Sequence, residues 1–67
     1  MSKPYIGDHI RLYRVWAGKV VFTDAFVTEV FDNGILNLEI IEGGENGTCH
    51  KNECVKVTPL GEEHYDI

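Results

Sequence analysis

No stretch of this 67-residue chain approaches the roughly 20 apolar residues that a membrane-spanning helix needs. Its most apolar region is interrupted by Lys19, Asp24 and Glu29. The opening residues, Met1-Ser2-Lys3-Pro4-Tyr5, have no apolar leader core, so the expected setting is a cytoplasm, with no membrane partner. Cations are scarce, six against eleven carboxylates, for a net charge of −5. That balance argues against nucleic acid as a partner, because a phosphate backbone rewards Lys and Arg. A repeating 3.6-residue apolar pattern is also missing, and a helical reading would have to place glycines inside its elements at about 1 kcal/mol each.

Only two cysteines are present, Cys49 and Cys54. Five positions separate them, wider than the usual spacing of a structural zinc pair, and the carboxylates near His64 are poor company for thiolates on a soft metal. No metal or other cofactor is therefore expected. In a reducing compartment the cysteines are expected as free thiols behaving as small apolar side chains, and whether they form a disulfide is left open. His9, His50 and His64 are scattered, with no nucleophile or orienting group placed beside them by motif. The Glu42–Gly47 run is rich in glycine, but it carries acids where a phosphate cradle needs a lysine and a following helix. An enzyme is not expected.

Apolar residues make up 43% and charged residues 25%, as in a folded domain and unlike a disordered chain. A chain this short buries only roughly 60% of its unfolded surface, so one small domain is expected. Residues 1–7 read as a lead-in, 8–59 as the folded body and 60–67 as a disordered or loosely docked tail. From Asp8 to Val15, Ile10 and Leu12 alternate with polar residues in the period-2 manner of a half-buried strand. Trp16-Ala17-Gly18-Lys19 reads as a reversal or bulge within a long excursion over residues 16–24. Ala25–Phe31 is dense in β-branched and aromatic residues. Asn33-Gly34 then signals a type I′ hairpin into Ile35–Ile41, where Leu36, Leu38 and Ile40 share a face. Thr48–Lys51 and Cys54–Thr58 read as two further strands, with Val55 and Val57 turned inward. Five short strands at this spacing predict an all-β fold, a small closed barrel that leaves no free edges.

The succession Gly7-Asp8, Ala25-Phe26-Val27-Thr28-Glu29-Val30, Asn33-Gly34 and Leu36-Asn37-Leu38 resembles the SH3-like barrels, which include Tudor and KOW domains. It is more similar to the short SH3-like proteins of tailed bacteriophages. The resemblance covers residues 7–58. Where those proteins often end in a Gly-Thr-Trp-His-like stretch, this chain has Leu60-Gly61-Glu62-Glu63-His64-Tyr65. It implies a five-stranded SH3-like barrel and a non-enzymatic protein-binding module, a small virion component such as a capsid decoration or adaptor. Such a protein would act in the host cytoplasm or assembled on a capsid or other large assembly, with homo-oligomerisation left open.

Two surfaces are candidates for a partner. Tyr13, Trp16, Phe22 and Phe26, with Asp24 among them, could hold a cation by combining ring and carboxylate attraction. The plainer account is that these rings fill a core that has few leucines. Charge is also divided along the chain, +3 over residues 1–20 and −8 over residues 21–67. Glu39, Glu42 and Glu45 could therefore form an acidic face. In that alternative, a small inhibitor would cover a basic host nucleic-acid-binding or defence protein.

Overall fold

The computed structural model describes residues 2–66. Six strands occur in the order β1 (His9–Trp16), β2 (Lys19–Val30), β3 (Ile35–Ile40), β4 (Asn46–His50), β5 (Cys54–Thr58) and β6 (Gly61–His64). They form one antiparallel sheet ordered β4-β3-β2-β1-β5-β6. The all-β expectation holds, but the strands number six, not five, and the sheet has two edge strands, β4 and β6.

One face of the sheet supplies the core: Ile10 from β1, Ala25 and Val27 from β2, Leu36 and Leu38 from β3, Cys49 from β4 and Cys54 from β5. Cys49 and Cys54 belong to strands that are not neighbours in the sheet, yet both lie in the same core cluster. The sheet must therefore curl for one face to enclose a single cluster. Thr28 is an extra residue between the paired Val27 and Glu29, and such a bulge sharpens local twist and bend.

Residues 60–66 are not a loose tail. β6 pairs with β5 over four residues, and Tyr65 is a core residue, 5% exposed. Its hydroxyl donates to Asp8 Oδ2 at 2.8 Å. The same carboxylate accepts the Tyr5 amide at 3.0 Å and lies 3.8 Å from Lys56 Nζ. Asp8 thus ties the lead-in, β5 and the C-terminal strand together. Ser2 also pairs with Tyr65. A run such as Gly61-Glu62-Glu63-His64 carries no apolar alternation because all four residues are exposed; its strand character comes from pairing with β5 and not from a buried face. Met1 and Ile67, the outer ends of the expected lead-in and tail, lie outside the described residues.

Three local expectations also change. The β2–β3 hairpin is present, but Asn33 does not take positive φ. Gly34 does, at 88°, and its amide donates to Phe31 O, giving a three-residue loop, Asp32-Asn33-Gly34. A Cβ on Gly34 would stand 2.6 Å from His50 Nε2. That ring caps the short 3-10 turn at Lys51–Glu53, with Nδ1 accepting from Asn52 N and Nε2 3.2 Å from Asn33 O. Those partners require the proton on Nε2. Second, Cys54 is the residue of β5 that joins the main core cluster; Val55 is buried as expected but on the opposite face, where it pairs with Arg11, and Val57 beside it by alternation is only half-buried. Third, residues 16–24 are no loop excursion, because β1 runs to Trp16 and β2 begins at Lys19.

Tyr65 gives the most direct check on the C-terminal correction. Tyr65→Phe removes one hydrogen bond to a carboxylate and should cost about 1–2 kcal/mol in urea unfolding. Tyr65→Ala should cost about 3–5 kcal/mol, as for other large-to-small core changes. A loose tail would leave both variants within about 0.5 kcal/mol of the parent.

Candidate partner-binding surface

The pairing of β1 with β2 runs through eight residue pairs, from His9 with Phe26 to Trp16 with Lys19. Ala17 and Gly18 close it with positive φ at both, 51° and 74°, the two-residue turn that matches strand twist. β5 pairs with β1 only as far as Leu12, and β3 pairs with β2 only from Ala25 onward. Residues 13–23 therefore leave the body as a two-stranded ribbon, and the molecule is elongated, 34 × 24 × 23 Å.

Period-2 alternation sorts the side chains onto two faces. His9, Arg11, Tyr13 and Val15 share one face with Phe26, Asp24, Phe22 and Val20. Trp16 lies on the other, with Arg14, Lys19 and Val21. Of the five residues singled out in sequence, Tyr13, Phe22, Asp24 and Phe26 are brought together. Trp16 is not.

The shared face is occupied by the protein's own cation. Arg11 donates to Asp24 through Nε at 2.7 Å and through a terminal nitrogen at 3.2 Å. Its guanidinium carbon lies 4.2 Å from the centre of the Phe22 ring. A further nitrogen reaches Glu62 Oε2 at 3.2 Å, and the Tyr13 hydroxyl donates to the same oxygen. Phe22 packs tilted against Tyr13 at 6.1 Å, and Phe26 against His9 at 5.8 Å. The rings and carboxylate that could have held a ligand's cation are thus satisfied internally.

These contacts fix charge. Hydrogen bonding to Arg11 holds the Asp24 carboxyl below its usual range, helped by the cation's field and by His9, against partial burial. The same pairing raises Arg11 further above its already high value. Donation to Glu62 pushes the Tyr13 phenol up. In the core, the neighbouring Cys54 thiol lowers Cys49, and Cys54 is raised by Cys49 and by burial; the Cys54 thiol itself donates to Lys51 O at 3.8 Å. Both cysteines are free. Among the described residues no group of three or more His, Cys, Asp or Glu is arranged to hold a metal. No helix among them is long and apolar enough to cross a membrane.

The ribbon's outer half has no such internal partners. Val15, Trp16 and Val20 are 72%, 73% and 71% exposed. Of the acidic residues, Glu42 and Glu45 line a groove of about 500 Å³ where the ribbon leaves the body, together with Phe22, Asp24, Ile40 and Ile41. Glu39 lies on β3 with its carboxylate directed to Gly44 of the same turn. The three acids therefore gather around one end of the β3–β4 hairpin.

Sequence reasoning missed Arg11 as the centre of the shared face, Glu62 as its second carboxylate, and Val15 with Val20. The signal for the valines is symmetry about the turn. Tyr13-x-Val15 before Ala17-Gly18 mirrors Val20-x-Phe22 after it. Comparison with protein-family models, with curated proteins and with solved structures gives no match.

The Asp24–Arg11 pair carries a definite pH signature. A carboxylate depressed in the folded state stabilises above its unfolded pKa of about 3.9 and loses that contribution as pH falls below it. Acid unfolding monitored by circular dichroism should therefore show a steep loss below about pH 4. In Asp24→Asn that segment should flatten. An unaltered profile in the variant would contradict the pairing.

Proposed function

We infer that this chain is a non-catalytic protein-interaction module whose sheet is a platform for the β1–β2 ribbon. One observation carries the reading. Val15, Trp16 and Val20 stand exposed on a two-stranded ribbon with no third strand beside it. A ribbon of two strands is marginal in water on its own. Here Arg11, Asp24, Phe22 and Tyr13 stiffen its base, so its tip is presented at lower entropic cost. Exposed Trp and β-branched residues flanked by Arg14 and Lys19 match the composition of interface anchors, in which Trp and Arg are enriched.

A small antiparallel sheet curled around one core is what the SH3-like reading requires, with β6 as an addition at its edge. On the tailed-phage resemblance, the surface that receives the ribbon would belong to a virion, with the chain as a decoration or adaptor. The alternative is an acidic inhibitor of a basic host protein. It is favoured by the gathering of Glu39, Glu42 and Glu45 at one hairpin end, and it predicts binding that is strongly weakened by salt.

The test places a photo-crosslinking residue at position 15 or 20 and recovers the adduct from cells or virions that contain the protein. Trp16→Ala should lower recovery of the adduct by at least about tenfold, equivalent to about 1.4 kcal/mol, with the melting temperature unchanged. Undiminished recovery would exclude the ribbon as the docking element. Loss only on changing Glu39, Glu42 and Glu45 to Gln would favour the inhibitor reading.

A further inference from the structure

The ribbon and the groove at its base are complementary in charge and in apolar character. Residues 13–23 carry Arg14 and Lys19 and no acid, +2 in a chain of −5, so the rest of the molecule carries −7. The ribbon is thus a cationic, apolar projection on an acidic body. The groove has Phe22, Ile40 and Ile41 as apolar lining and Asp24, Glu42 and Glu45 as acids. Arg14 of the same ribbon also lies on its wall. Asp24 is committed to Arg11, which leaves Glu42 and Glu45 exposed with one cation between them. At about 500 Å³ the groove falls within the range of pockets that seat several side chains.

We propose that the groove receives the ribbon tip of a second copy of this chain, with Val15 and Val20 on one face of the tip against Phe22 and Ile41, and Trp16 and Lys19 on the other face toward the Glu42–Glu45 turn. The chain does not satisfy its own groove in this way, because Val15, Trp16 and Val20 stay exposed on the same ribbon whose Arg14 and Phe22 line the groove. Since each copy carries tip and groove side by side, a two-fold axis would seat both tips at once. That is the self-complementary patch an isologous dimer requires. Few residues per copy take part, fewer than the roughly 20–30 of a standard interface, so the association belongs to the weak class. This deepens the interaction-module reading and rests on it, by naming a second copy as the ribbon's partner.

Sedimentation equilibrium of the full chain from about 1 µM to about 1 mM tests it. The expected result is a reversible monomer–dimer equilibrium within that range, weakened at least about threefold between 50 mM and 500 mM salt as the charges are screened. Lys19→Glu alone and Glu42→Lys with Glu45→Lys should each remain monomeric. Mixed one to one, the two variants should form a heterodimer, because the reversed charges again meet opposites. That rescue also separates a broken interface from a broken fold. A monomer throughout the range, a dimer indifferent to both reversals, or no rescue on mixing would overturn the proposal. A monomeric chain whose crosslinked adduct is still lost in Trp16→Ala would retire self-association alone and leave the docking reading standing. An adduct undiminished by Trp16→Ala would remove both.

Discussion

The eight-pair register between β1 and β2 is the constraint from which the other features follow. The two-residue Ala17-Gly18 turn sets it, and once set, parity decides what every side chain can touch. It puts Ile10 opposite Ala25 in the core and Arg11 opposite Asp24 on the reverse face. It also carries the pairing beyond the reach of β3 and β5. A slip of one residue would turn Ile10 out, turn Arg11 into the core and dissolve the surface described above.

On the reverse face, Arg11 accounts for most of the order. Its guanidinium is shared between two carboxylates and lies over a ring, an arrangement that the planar fork of arginine permits and a lysine could not reproduce. Because the cation comes from β1, one carboxylate from β2 and the other from β6, the network links the ribbon's base to the sheet edge. The aromatic residues closest to the body therefore serve the protein itself. The tip, by contrast, combines exposure, apolar character and positive charge. Around an enclosed core, a domain this small can offer a partner a surface groove or a projection, and this fold has both, the groove at the ribbon's base and the exposed tip.

Much of the architecture was legible in residue order. The alternation of Leu36, Leu38 and Ile40 marked β3, and Asn33-Gly34 marked the hairpin before it, although the positive φ falls on Gly34 alone. The ribbon was harder to see. Val15, Trp16, Val20 and Phe22 look like loop residues or core filler unless their symmetry about Ala17-Gly18 is noticed, because alternation without burial leaves no polar side to contrast with. β6 was illegible for a different reason. All four residues of Gly61-Glu62-Glu63-His64 are exposed, so pairing with β5 leaves no trace in hydrophobic pattern. The burial of Tyr65 depends on a partner 57 positions earlier, Asp8, and no local signal announces it. A separation of 51 positions likewise hid Glu62 as a partner of Arg11. Tyr13, Phe22, Asp24 and Phe26 were found together, but parity separates Trp16 from them, and that separation moves the candidate site from the aromatic face to the tip.

Trp16 is the chain's single tryptophan, so its fluorescence reads the central claim without labelling. If the ribbon tip is offered to another molecule and not folded onto its own body, a dilute solution should show the red-shifted emission of a water-exposed indole. Acrylamide should then quench it as efficiently as it quenches a free tryptophan amide. A blue-shifted emission protected from quencher at the lowest concentrations would mean that the tip is buried within its own molecule, and would contradict the account.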